Sequence, residues 1–162
     1  MKILLNRLTY LMPILPIAFL LACSLGTQSP GSTPKTNFTK SDFKKIQWLE
    51  GAWRGSGDGV EPFFEKYHFT NDHTIEIEFF SDAALKNLTK KESVTLADGE
   101  IRYGKSVASK LDDKSIDFVA KEYSFSWETE SADVWIARIY TPTQEGRKLA
   151  RTYRMERIKP AQ

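Results

Sequence analysis

The heptapeptide TIEIEFF, residues 74–80, alternates Ile75, Ile77 and Phe79 with Glu76 and Glu78. Only an extended chain puts those two sets on opposite faces, so this stretch reads as a strand with one side in a core and the other in water. The same period runs through PFFEKYHF, where Phe63, Tyr67 and Phe69 share a side with Glu65, and a short TNDH turn separates the two segments. Further strands are expected in ESVTLA, EIRYGKSVAS, SIDFVA, YSFSW, DVWIARIY and KLARTYRMERI, punctuated by ADGE, KLDDK, ESAD and TPTQEG. About eight to ten antiparallel strands without a long helix between them predict an all-β domain, a barrel or a sandwich, over residues 41–160. That length buries a core without disulfides.

Ahead of this pattern the chain has a different character. Met1, Lys2 and Arg7 are followed by an apolar run from about Leu11 to Leu21, broken by Pro13 and Pro16, which fits the ~7–15-residue core of a secretory signal and falls short of the ~20 residues of a membrane span. The chain's only cysteine, Cys23, comes directly after it. A single thiol closes no internal disulfide and anchors no cysteine cluster for a metal. Residues 24–40, SLGTQSPGSTPKTNFTK, are rich in Ser, Thr, Gly and Pro and predict a flexible tether with a mean span of about 20–25 Å. Lys2 and Arg7 account for the net charge of +2, so residues 23–162 balance 21 basic against 21 acidic side chains. No nucleic-acid partner is expected of such a balance.

Leu20-Leu21-Ala22-Cys23 resembles the lipobox of bacterial lipoproteins. The resemblance implies a signal peptide over 1–22, diacylglycerol on the Cys23 sulfur, cleavage before Cys23 and acylation of the new amino terminus. Ser24 in place of an aspartate implies delivery to the outer membrane. The expected partner is therefore a membrane, reached through the lipid anchor, in a bacterial cell envelope. More than one acyl chain is needed for durable attachment, since each buried CH₂ contributes about 0.8 kcal/mol.

In SDFKKIQWLEG, Ser41 is placed to cap a helix of about two turns, Phe43, Ile46 and Leu49 give it an apolar face, and Gly51 stops it. A plug or lid is the expected role. Gly51-Ala52-Trp53 directly after this helix resembles the opening of calycin barrels such as lipocalins, and WLEGAWRGSGDG is similar to nitrobindin-like domains. The resemblance implies an antiparallel up-and-down β-barrel, with Trp53 closing one end beneath an arginine from the last strand: Arg151, Arg154 or Arg157. It does not carry haem, because His68 and His73 fall in an early strand and the turn after it. No cofactor and no metal site is expected.

Strand parity predicts an aromatic interior of Trp53, Phe63, Tyr67, Phe69, Phe79, Tyr103, Phe118, Tyr140 and Tyr153, and puts Glu65, Arg138 and Arg151 on the same faces. Ionised groups are rarely buried alone. These three therefore form an internal ion pair or anchor a ligand in a solvated pocket. The candidate ligand-binding set is Trp53, Phe63, Glu65, Tyr67, Phe69, Phe79, Arg138, Tyr140, Arg151 and Tyr153. Two function classes follow: a barrel that binds a small apolar or amphipathic molecule, or an envelope scaffold whose barrel is filled. An enzyme is not expected, for the sequence has no Gly-x-Ser-x-Gly elbow, phosphate loop or metal motif.

The anchor is tested by Cys23→Ala. That variant should incorporate no radiolabelled palmitate and accumulate as uncleaved or mislocalised precursor; labelling equal to the natural protein's would contradict lipidation at Cys23.

Overall fold

The computed structural model describes residues 37–57 and 59–159, so the leader, Cys23 and most of the tether lie outside the described residues. Ten strands follow in chain order: β1 (Gly51–Gly57), β2 (Val60–Asn71), β3 (Thr74–Phe80), β4 (Leu88–Ala97), β5 (Glu100–Tyr103), β6 (Ser106–Leu111), β7 (Ser115–Val119), β8 (Ser124–Ser131), β9 (Val134–Thr143) and β10 (Gly146–Arg157). Each pairs antiparallel with its neighbours in sequence, and β10 returns to pair with β1, giving a closed up-and-down barrel.

The segment before β1 forms a single α-turn, α1 (Lys40–Phe43), running into a 3₁₀ segment over Lys44–Leu49. Its cap is Thr39 rather than the expected Ser41. The Thr39 hydroxyl accepts from the Asp42 amide at 3.2 Å, and the Thr39 amide donates to the Asp42 carboxylate at 3.0 Å. This reciprocal arrangement satisfies two donors at once, which Ser41, already inside the first turn, is not placed to do. Three residues per turn align positions i, i+3 and i+6. Phe43, Ile46 and Leu49 accordingly share one face and are fully buried against the barrel's end.

That end is closed by Trp53. Its indole N–H donates to the Leu49 carbonyl at 2.8 Å, and the Arg157 guanidinium lies 4.1 Å from the indole ring. Of the three arginines the calycin resemblance left open, Arg157 is therefore the one over Trp53. It also donates to the Glu50 carbonyl at 2.7 Å and the Ala132 carbonyl at 2.9 Å. Gly51 has φ +123°, and a Cβ there would come within 2.3 Å of an Arg157 nitrogen. Glycine is required on both counts.

Two sequence expectations are corrected by the sheet. EIRYGKSVAS is not one strand but the hairpin β5–β6, because Gly104 adopts the left-handed conformation at φ 58° and reverses the chain. In β9 the inward face is Trp135, Ala137 and Ile139, which register opposite Met155, Tyr153 and Arg151 of β10. Arg138 and Tyr140 therefore point outward. The strand carries apolar residues on both faces, including the buried Ile136, so its alternation does not define which face is inner. Between Ala120 and Tyr123 the chain reverses in the β7–β8 turn, closed by the Ala120 amide on the Tyr123 carbonyl at 2.9 Å.

Candidate functional site

The open half of the barrel, opposite Trp53, encloses a cavity of about 230 Å³ whose wall is mostly aromatic and includes Glu65. β2 contributes Phe63, Glu65 and Tyr67; β8 contributes Phe125 and Trp127; β9 contributes Trp135, Ala137 and Ile139; β10 contributes Tyr153 and Met155. Tyr103 from β5 completes the wall, and the exposed Tyr123 lies at its outer edge. The rings meet mainly edge to face: Phe63 on Tyr153 at 5.5 Å, Tyr67 on Trp127 at 6.0 Å and on Trp135 at 5.8 Å. Gly55 makes room for this packing, since a Cβ there would sit 2.2 Å from the Phe63 ring. The indole N–H of Trp135 is buried without an acceptor, an unpaired donor within the wall.

Among the described residues, Glu65 is the one ionisable group on the wall that is not a tyrosine. It is 8% exposed, and the Tyr67 hydroxyl donates to its Oε2 at 2.7 Å. Burial raises its pKa from 4.5 to about 7; the Tyr67 hydrogen bond opposes this shift and the Glu92 carboxylate adds to it. Burial also pushes the Tyr67 phenol well up, with Glu65 beside it reinforcing the shift.

A second carboxyl, Glu92 of β4, lies nearer the mouth. The Tyr103 hydroxyl and Lys90 both donate to it. Burial pushes its pKa up, but Lys90 and Tyr103 outweigh that push, so it is held below the ordinary carboxylate value. Two inward carboxyls thus differ in charge near neutrality, Glu65 poised to hold its proton and Glu92 ionised.

Of the candidate ligand-binding set, the cavity gathers Phe63, Glu65, Tyr67 and Tyr153, and it adds Tyr103 from the predicted aromatic interior. Trp53 and Phe69 point inward at the closed end, where Phe69 meets Phe43 at 5.7 Å. Phe79 lies at the mouth beneath Lys90, whose nitrogen is 5.5 Å from the ring. Arg151 is inward by register but exposed at the rim, donating to the Tyr153 hydroxyl at 3.3 Å. Arg138 bonds Glu128 on the outer surface, and Tyr140 stacks there under Arg147 at 4.1 Å. The internal cluster of Glu65 with two arginines therefore does not exist. His68 and His73 bond Glu50 and Asp72 respectively, and among the described residues no group of three or more His, Cys, Asp or Glu side chains could hold a metal. Sequence reasoning missed Tyr123, Phe125 and Trp127 as a lining set. Their spacing of two in YSFSW was the available signal.

No family model matches the chain, and no curated protein matches it in sequence. Among solved structures it is similar to a redesigned β-barrel, b11L5F_LGL, at 12% identity and a TM-score of 0.34, covering 72% of this chain and 96% of the other. It is also similar to EF1p2_mFAP2b, solved bound to DFHBI, at 9% identity and a TM-score of 0.37, covering 72% of this chain and 99% of the other. A likeness this distant carries no functional argument.

Raising the folded-state pKa of an acid makes folding favour its protonated form. Between its ordinary value of 4.5 and about 7 the folded chain keeps the Glu65 proton while the unfolded chain releases it, so this contribution to stability is present below 4.5 and lost as pH rises through 7. The loss is on the order of 3 kcal/mol, at about 1.4 kcal/mol per pKa unit. In urea denaturation across that range, the stability of the natural protein relative to Glu65→Gln should fall by this amount; a difference independent of pH would contradict the assignment.

Proposed function

We propose that this chain is a lipid-anchored envelope lipoprotein whose barrel binds one small apolar or amphipathic molecule. The observation that carries the binding reading is the cavity itself: an aromatic wall with one buried carboxyl is the composition of a small-molecule site, in which apolar surface supplies affinity and a few polar groups fix orientation. At about 230 Å³ it exceeds the ~150 Å³ of an engineered cavity that takes up benzene and falls below the ~300 Å³ at which drug-sized pockets begin. An occupant of one or two fused rings fits. Anchoring rests on Leu20-Leu21-Ala22-Cys23, and an outer-membrane location on Ser24.

Binding rather than catalysis is favoured by the wall chemistry. Among the described residues no Ser, Cys, His or Lys lines the cavity beside Glu65, so the carboxyl has no such side-chain nucleophile to activate. One observation favours the scaffold reading instead. The exposed large apolar residues Val60, Leu88 and Val119 at strand ends, Tyr123 in a turn and Leu149 in the first half of β10 all lie toward the open side, where a protein partner would cover them.

Ala137 separates the two readings because its small side chain faces the cavity between Trp127 and Tyr153. Titrating the full-length protein in detergent with neutral naphthylmethanol, against a detergent-only blank, should give saturable sub-millimolar binding, and Ala137→Leu should weaken it at least about tenfold. Equal binding to the variant, or absence of binding to the natural protein by naphthylmethanol and by its amine and acid analogues alike, would leave the scaffold reading in its place.

A further inference from the structure

The cavity's chemistry is one-sided. Its wall holds aromatic rings, aliphatic side chains and one carboxyl, and among the described residues no lysine, arginine or histidine lines it. An anionic amphiphile with its head inside would meet Glu65 and no counter-charge. A wholly apolar ligand would leave the carboxyl with Tyr67 as its sole described hydrogen-bond partner, and a neutral alcohol would bring it a hydrogen bond but no counter-charge. An organic cation fits both features of the wall, for the ammonium supplies a counter-ion and the surrounding rings are attractive to positive charge.

Resting on the binding reading above, we propose that the barrel selects a small aromatic or alicyclic amine, with its ammonium on the free side of the Glu65 carboxylate and its ring among Phe63, Tyr153, Phe125 and Trp127. The other ionisable groups of the wall do not compete for this role. Tyr67 already donates to Glu65, and its phenol is held protonated by burial and by Glu65 itself. Tyr103 donates to Glu92 and is likewise held protonated by burial, with Glu92 adding to the shift. Glu92 is engaged by Lys90 and Tyr103, and Tyr153 accepts from Arg151 at the rim. Glu65 is thus the carboxyl whose charge awaits a partner. Docking an ammonium beside it favours the ionised form, so binding an amine releases the Glu65 proton wherever that proton is still held. Affinity for amines should then rise with pH through the range in which Glu65 titrates, while affinity for uncharged analogues stays flat.

Three ligands of one shape separate the possibilities: naphthylmethylamine, naphthylmethanol and naphthylacetate, titrated calorimetrically into the full-length protein in detergent. The amine should bind at least about tenfold tighter than the alcohol near pH 8, lose that preference in Glu65→Gln and keep it in Glu92→Gln. Alcohol binding retained by Glu65→Gln shows that its cavity is intact; should that variant fail to fold, the pH profile of the natural protein decides. Equal affinity for amine and alcohol, or tightest binding of the acid, overturns the amine inference and leaves the binding reading standing. Binding of none of the three overturns both.

Discussion

Closure of β10 onto β1 is the constraint on which the remaining structure depends. A ten-stranded sheet left open would expose two rows of unpaired amides and carbonyls, whereas the pairing of Trp53 with Arg157 and Gly55 with Met155 leaves no edge. Arg157 fixes this seam in three ways. It stacks on Trp53, it bonds the end of the segment entering β1, and it bonds Ala132 in the turn before β9. First strand, last strand and the β8–β9 turn are thereby joined by one side chain. Its charge is accommodated by carbonyl oxygens and by Asp133 at 3.5 Å.

With one end sealed by Trp53 and the 3₁₀ segment, the interior divides by depth. The closed half is filled with Phe43, Ile46, Leu49, Ile75 and Ile101, all fully buried. The open half has larger rings that meet at their edges and leave a void. Two tyrosine–glutamate pairs, one on its wall and one nearer the mouth, reach opposite states: Tyr67 alone does not offset the deep burial of Glu65, whereas Tyr103 together with Lys90 does offset the slighter burial of Glu92. Shallower burial of Glu92 and the Lys90 ammonium together make the difference. The same argument, applied to a ligand in place of a lysine, is what makes an amine the natural complement of Glu65.

The sequence was most readable where one face is polar and the other apolar. TIEIEFF coincides with β3 residue for residue, and Glu65 was recognised as inward because Phe63 and Tyr67 flank it. Legibility failed where both faces are apolar, as in DVWIARIY, and Arg138 and Tyr140 were assigned to the wrong side there. It failed again at Gly104, where one left-handed residue turns an apparently continuous strand into a hairpin. The partner of Glu65 was beyond reach for a different reason. Parity names the face of a residue but not its depth along the barrel, and Arg151, although inward by register, lies at the rim.

The central claim is that a carboxyl without a cationic partner is buried in an aromatic cavity, and its titration reports this directly. Following the side-chain carboxyl carbon of Glu65 by NMR in uniformly ¹³C-labelled protein, with Glu65→Gln to assign the signal, should give a midpoint at about 7. A midpoint near the ordinary 4.5 would contradict the account, showing that water or a counter-ion reaches the carboxylate and that the open half of the barrel is a vestibule rather than a binding cavity.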